Sequence, residues 1–262
     1  MKKNYDYTKE DIILSLKKTG LKNGDSMFLH SNIGFFGRLE NVDNSQEYCE
    51  ILKDAIFDVL GKNGTLIVPT FSLSFCNNQI YDRQNTESFQ CGIFSEFIRQ
   101  LKISKRSDDA NFSVCAIGEK ADYFTKEISE HSFGIDSFWD RLWKENGKIC
   151  RFNMGPNYNT FIHFVERKLN VVYRYDKKFT GISIINGKKI NKKYYHFVRD
   201  LEKDEYVSDL NQLEESLKKL GLLKTMNLGR GQIILMKTKD VFEVVKDEIK
   251  KNPYFLVKGK NY

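Results

Sequence analysis

The chain has no apolar run long enough to span a bilayer, although 40% of its 262 residues are hydrophobic. It has no C-x-x-C pair. Five cysteines, at 49, 76, 91, 115 and 150, stand singly, and the four histidines do not cluster with them. A zinc framework and a disulfide scaffold are thereby excluded, and no metal is expected. The odd count reads as free thiols. Internal repeats, low-complexity tracts and Pro/Gly/Ser linkers are also missing, so a repeat architecture or two independently folding domains are not indicated. The start, Met1-Lys2-Lys3-Asn4-Tyr5-Asp6, lacks the apolar core of a secretion leader, and the expected location is the cytoplasm. The lone Gly229-Arg230-Gly231 precedes a strand pattern instead of following one, so it is not a dinucleotide fingerprint.

Positive charge is present but unevenly spread. Residues 168–262 carry 21 Lys and Arg against 12 Asp and Glu, while residues 1–167 carry 21 against 23. The C-terminal third therefore holds the whole excess. Two readings stay open: a lobe that binds anions such as phosphates, or a lysine-rich solvated surface. The basic residues are not interleaved with stacking aromatics, so nucleic acid is not the expected partner.

The hydrophobic pattern alternates between strand and helix. Thr8 with Asp11 predicts a capped first helix running to Gly20. Strands are expected at Ser26–His30, Thr65–Val68, Phe112–Ile117 and Lys148–Phe152. Helices are expected around Cys49–Leu60, Phe94–Leu101 and Phe138–Trp143. Beyond residue 170 the rhythm shortens. Strands are predicted at Val171–Tyr175 and Gly181–Ile185, and Asn186-Gly187 is a hairpin turn signal with Lys188–Ile190 returning from it. A further strand at Tyr194–Val198, a helix over Leu210–Leu220, a strand at Gln232–Met236 and a last helix over Val241–Ile249 follow. The fold class is α/β: a layered α/β/α domain with a central mixed sheet. The expected organisation is one domain over residues 1–262, with 1–170 as its main part and 171–262 as a smaller covering lobe.

The segment Asn159-Thr160-Phe161-Ile162-His163-Phe164-Val165-Glu166 carries the clearest chemistry. Asn159 is placed to cap a helix. His163 and Glu166 then share a face, because residues three apart are neighbours on a helix. An imidazole beside a carboxylate can serve as a general base near neutral pH. Asp82, in the long polar stretch 72–92, is a second candidate carboxylate. Small residues at strand ends supply candidate ligand loops: Ser31, Asn32, Ile33 and Gly34 after the first strand, and Thr70 after the second. Ser137, ahead of a helix, reads as an N-cap. His30 reads as a packed strand residue.

In this order the chain resembles the aminoglycoside 3-N-acetyltransferase family. The pieces are Leu21-Lys22-Asn23-Gly24-Asp25, Leu29-His30-Ser31-Asn32-Ile33-Gly34, and Gly61-Lys62-Asn63-Gly64 through Pro69-Thr70-Phe71. Then come Gly92-Ile93-Phe94-Ser95-Glu96-Phe97, Arg106-Ser107, Phe112-Ser113, Phe133-Gly134-Ile135-Asp136-Ser137, and finally Asn159-Thr160-x-x-His163. The resemblance implies an acetyl-coenzyme A-dependent N-acetyltransferase. His163 would be the base, supported by Glu166 or Asp82. Ser31 to Gly34, Thr70, Ser107, Phe112, Ser113, Phe133 and Ser137 would line the coenzyme A site. The Gly-rich pyrophosphate loop of the commoner acetyltransferase superfamily is missing, so donor contacts would be dispersed.

One departure concerns the acceptor. Asp108-Asp109 stands where antibiotic-modifying relatives usually carry His-Pro, and the resemblance is to members associated with polysaccharide amino-sugar biosynthesis. With the basic C-terminal third, this departure points to a nucleotide-linked biosynthetic amino sugar as acceptor. The alternatives are an aminoglycoside, making the chain an antibiotic-resistance enzyme, or an inactive relative that acts as a ligand-binding or scaffold protein. Monomer or homodimer is left open.

Overall fold

The computed structural model describes residues 5–259. The stretch 1–4, read above for a leader, lies outside the described residues. None of the described helices is long and apolar enough to cross a membrane.

In chain order the elements are α1 (Lys9–Lys18), β1 (Ser26–Ser31), α2 (Ser45–Leu60), β2 (Thr65–Pro69), β3 (Tyr81–Asp82), α3 (Ile93–Gln100) and β4 (Lys105–Arg106). They continue with β5 (Val114–Gly118), α4 (Ala121–Thr125), α5 (Phe138–Lys144), β6 (Lys148–Phe152) and α6 (Phe161–Leu169). The last are β7 (Arg174–Ile185), β8 (Lys188–Arg199), α7 (Asn211–Lys219), β9 (Lys224–Leu228), β10 (Gly231–Lys237) and α8 (Thr238–Lys251). A single 3-10 turn, Ile33–Phe36, follows β1. Local signals set several of these bounds. Thr8 and Asp11 form the reciprocal capping box, and Asn44 caps α2 by accepting from Glu47 N at 2.9 Å. Gly61 ends α2 at φ 63°, where other residues are strained.

Seven strands form one mixed sheet in the order β4-β5-β2-β1-β6-β10-β9. Its centre, β2-β1-β6, is parallel, and the flanking pairs are antiparallel. Strand β1 is buried along its whole length, as a central strand must be. Its side chains alternate. Phe28 joins the core formed with α5, α6 and α8, while Met27 and Leu29 join the core formed with α1, α2 and α3. The result is three layers.

Residues beyond 170 serve both sheets. The two 12-residue strands β7 and β8 pair along their whole length and, with β3, make a three-stranded sheet. Strands β9 and β10 return to the main sheet beside β6. The four short strands expected between 171 and 198 are therefore two long ones. Exposed polar residues between the apolar ones, among them Asp176, Lys177, Lys178, Thr180, Asn191 and Lys193, broke the pattern, yet the turn at Asn186-Gly187 is where the sequence put it. The expected strand at Phe112 starts two residues later, at Val114, because the turn before it is held by Asp109.

Candidate active site

Helix α6 buries Phe161, Ile162, Phe164 and Val165 against the sheet and ends at Asn170 in the left-handed conformation, φ 52°. The residue ahead of it is Thr160, already helical in backbone, and no side chain caps the first turn. Asn159 is thus not the cap the sequence suggested. Its side chain is buried, with Nδ2 3.7 Å from Met236 Sδ, and its main-chain carbonyl accepts Ile162 N at 3.1 Å.

His163 and Glu166 meet one turn apart, with Nδ1 2.8 Å from Glu166 Oε2. The glutamate side chain is fully buried and the imidazole 27% exposed. An Nδ1–H donated to the carboxylate leaves Nε2 as the proton acceptor. Burial lowers the imidazole's proton affinity first. Arg174 lowers it further, and Glu166 only partly restores it, so the ring is neutral at pH 7. Burial alone would raise the pKa of Glu166. Arg174 and His163 outweigh that and hold the carboxyl below its ordinary range. Arg174 Nε lies 2.8 Å from Glu166 Oε2 without pointing its hydrogen at the oxygen, and Tyr173 donates its hydroxyl to Oε1 at 3.0 Å. Neither Tyr173 nor Arg174 stands in a sequence pattern that could have signalled this.

A row of rings joins His163 to the end of β1. His163 meets Phe133 edge-on at 5.4 Å, Phe133 meets Phe112 at 5.0 Å, Phe112 meets Phe71 at 5.3 Å, and Phe71 meets His30 at 6.3 Å. His30 Nε2 in turn lies 3.1 Å from Thr160 Oγ1. His30 is therefore more than packing: it ties β1 to the start of α6. Phe112 also touches His196 of β8 at 5.0 Å, which brings the root of the hairpin to the same wall.

The other candidate residues divide into two groups. Ser31, Asn32, Ile33 and Gly34 form the loop at the end of β1. Ser31 Oγ is buried and has no hydrogen-bond partner among the described residues. Gly34 borders two cavities, of about 760 and about 700 Å³. Phe112 and Phe133 belong to the ring wall. By contrast Thr70, Ser107 and Ser113 are buried and bonded to their neighbours. Thr70 Oγ1 donates to Ser113 O at 3.1 Å, Ser113 Oγ to Thr70 O at 2.6 Å, and Val114 N to Ser107 Oγ at 3.0 Å. They lock β2, β4 and β5 together, and Arg106 clamps the cluster by donating to Thr70 O at 2.8 Å. Ser137 caps α5, accepting Asp140 N at 3.3 Å.

Asp82 does not approach the dyad as a partner. Its Oδ1 accepts the N–H groups of Gln84 and Asn85 at 2.9 and 3.1 Å, which closes a turn at the end of β3. Of the two carboxylates, Glu166 is the one that holds His163. The pair Asp108-Asp109 is also occupied. Asp109 is buried, accepts Asn111 N and Phe112 N, each at 2.9 Å, and takes the Ser132 hydroxyl at 2.5 Å. Asp108 pairs with Arg83 at 2.9 Å. Asp109 thus holds a turn, and Asp108 an ion pair between distant segments.

A third cavity, about 420 Å³, lies along the outer side of Phe133 and α6, bordered by His131, Arg167 and Lys168. These three cavities together have one carboxylate in their walls, Asp43, while a further cavity of about 690 Å³ has Asp82 and Asp122.

A layered α/β frame carries a carboxylate-held imidazole beside an aromatic wall, an arrangement that is chemically able to take up a proton. The profile of one family, aminoglycoside 3-N-acetyltransferase, matches residues 28–250, and the chain belongs to that family. It is an acyltransferase, of the N-acetyltransferase class that the family comprises. Among solved structures the chain is similar to AAC-IIIb bound to CoASH, with TM-score 0.79, 18% identity and coverage of 93% of this chain and 97% of that one. Sisomicin-bound AAC-VIa is similar with TM-score 0.78 and 18% identity, covering 94% and 98%. YokD from Bacillus subtilis has TM-score 0.76 and 19% identity, covering 94% and 100%. At such identities the likeness is one of fold. No curated protein matches the chain in sequence.

Proposed function

We propose that the protein acetylates the amino group of an amino sugar, with His163 as the base. The observation that carries this is the neutral, partly exposed imidazole fixed through Nδ1 by a buried carboxylate. Nε2 takes the proton of the acceptor ammonium, and Glu166 stabilises the imidazolium that forms. The amine nitrogen then bonds to the acetyl carbon and the carbon–sulfur bond breaks. His163 returns its proton to the leaving thiolate, and the second proton that the nitrogen gives up on becoming an amide leaves to solvent. Acetyl-coenzyme A supplies the thioester. The buried hydroxyl of Ser31, without a hydrogen-bond partner among the described residues, fits a polar group of the donor arm. A positioned base contributes about a hundredfold or more, and holding both substrates together contributes much of the remainder.

For the acceptor, a nucleotide-linked or other uncharged-to-anionic amino sugar is the preferred class. The support is that the cavity bordered by Phe133 and Phe164, beside the His163 helix, has no carboxylate in its wall, whereas a polycationic aminoglycoside needs several to replace its counterions; Asp82 and Asp122 line a different cavity. The basic excess of the C-terminal third gives less support than its size suggests. Lys218, Lys246, Lys250 and Lys251 pair with acids on their own helices, and Lys177, Lys178, Lys188 and Lys189 are solvated on the hairpin. Sisomicin is bound by AAC-VIa, and the aminoglycoside reading remains the competitor to test. The test is thiol release from acetyl-coenzyme A against nucleotide amino sugars, free amino sugars and gentamicin-type substrates, at low and high salt. A higher kcat/KM for the aminoglycoside at both salts overturns the acceptor class. No thiol release with any amine overturns the enzyme reading in favour of a binding protein.

A further inference from the structure

Glu166 has no exposed surface, and a carboxylate so placed needs a partner for each oxygen. Those partners come mostly from outside its helix. Oε1 accepts the Tyr173 hydroxyl at 3.0 Å. Oε2 lies 2.8 Å from His163 Nδ1 and 2.8 Å from Arg174 Nε. The Arg174 guanidinium is almost buried and reaches Phe197 O and Ser208 Oγ, each at 3.3 Å. The Tyr173 ring packs against both Tyr206 and Tyr254, each with its centroid 5.9 Å away. Other charged groups near α6 face elsewhere. Arg167 turns to Asp176 and His131, and His196 lies beyond the Phe112 ring.

We infer that Arg174 and Tyr173 are positioning residues of the base: Arg174 cancels the charge of Glu166 so that His163 rests neutral and ready to accept a proton, and Tyr173 supports the same state through Oε1. The argument is a count of buried charge. With Glu166 ionised, Arg174 charged and His163 neutral, the trio sums to zero. Without the Arg174 charge, the same protonation state buries one net negative charge. Uptake of one proton, on the imidazole or on the carboxyl, restores neutrality and removes the base. The dyad then binds that proton at a higher pH. A neutral hydroxyl donor acts in the same direction with a smaller effect. The inference rests on the reading of His163 as the base.

The experiment compares Arg174→Gln, Arg174→Lys and Tyr173→Phe by kcat/KM against pH and by carbon NMR titration of the His163 imidazole. In Arg174→Gln the acidic limb should move up by about one pH unit or more. At pH values below the limb, activity then falls about tenfold, and near pH 9 it is largely recovered. The NMR titration should move with it. Arg174→Lys should bring both back towards wild type, and Tyr173→Phe should shift them by roughly a few tenths of a unit. A loss equal at all pH values, with the limb and the titration unmoved, overturns the inference. Should Arg174→Gln fail to fold, an unmoved limb in Tyr173→Phe, which keeps the ring packing, overturns it as well. A His163→Ala variant that retains turnover would sink the base assignment separately, because the imidazole titration reports on Arg174 whether or not the ring is catalytic.

Discussion

His30 and His163 stand at opposite ends of one row of aromatic rings, and helix α6 touches both. At one end Thr160 offers a hydroxyl and His30 is 7% exposed. Burial, with Arg151 adding to it, pushes its pKa down to about 3, so it is neutral throughout the working range and cannot cycle a proton. At the other end Glu166 offers a carboxylate and the imidazole keeps an exposed edge. The same residue type is fixed as a strut in one place and, in the function proposed above, acts as a base in the other. The partner and the access to solvent decide which, and aromatic packing, common to both, does not.

The comparison can be broken at several points. His163→Ala should lower kcat by about two orders of magnitude or more while leaving coenzyme A binding by calorimetry nearly unchanged. Turnover close to wild type would remove the distinction between the two histidines. Glu166→Gln should cost about 3–5 kcal/mol in urea unfolding, because it leaves Arg174 buried and unpaired, and should also depress turnover. A stability within 1 kcal/mol of wild type, by about the scatter of ordinary surface substitutions, would mean the pair is solvated in solution.

The other end gives a pH signature. The folded pKa of His30 lies below the free value of 6.5, so the unfolded chain binds more protons between 6.5 and about 3. Stability should therefore be full above 6.5 and be lost as pH falls through that window, by on the order of 4 kcal/mol. His30→Gln, which can keep a bond to Thr160, should flatten the slope of unfolding free energy against pH. An unchanged slope would place the acid sensitivity elsewhere. Thr160→Val should cost about 1 kcal/mol and slow turnover a few-fold by loosening the start of α6. Asp82→Asn is expected to have the smallest effect, since two of its three acceptor contacts are made to main-chain N–H groups and one to Asn85 Nδ2 at 2.9 Å. A hundredfold loss of kcat there would reinstate it beside the base.

Much of the layered frame was legible because burial imposes a period on each element. Cys49, Leu52, Ile56 and Val59 mark α2, and the capped start of α1 was readable to the residue. The dyad was legible for a similar reason, as three-residue spacing on a helix guarantees proximity. What surrounds the dyad was not. Arg174 and Tyr173 reach Glu166 across a turn, and Thr160 reaches His30 across 130 residues, so no local pattern announces them. The hydroxyls of Thr70, Ser107 and Ser113 misled for the opposite reason. Small polar residues at strand ends suit a ligand and suit a strand junction equally, and here they close the junction. Asn159 misled because a buried amide and an N-cap are the same letters.

The parallel centre of the sheet has a consequence in time. Strand β1 finds one neighbour at Thr65 and the other only at Lys148, and β6 then waits for Met236 on its far side. Contacts so distant along the chain charge loop-closure entropy before they return any stability, which places this topology among slow folders. Both halves of the proton-handling pair ride on one nascent helix and can meet within a turn. Their cation, their hydroxyl donor and the ring wall arrive only when remote segments dock. In refolding from denaturant, helical signal should therefore return well ahead of acetyl transfer, and the lag between them measures how long the enzyme is shaped before it is competent.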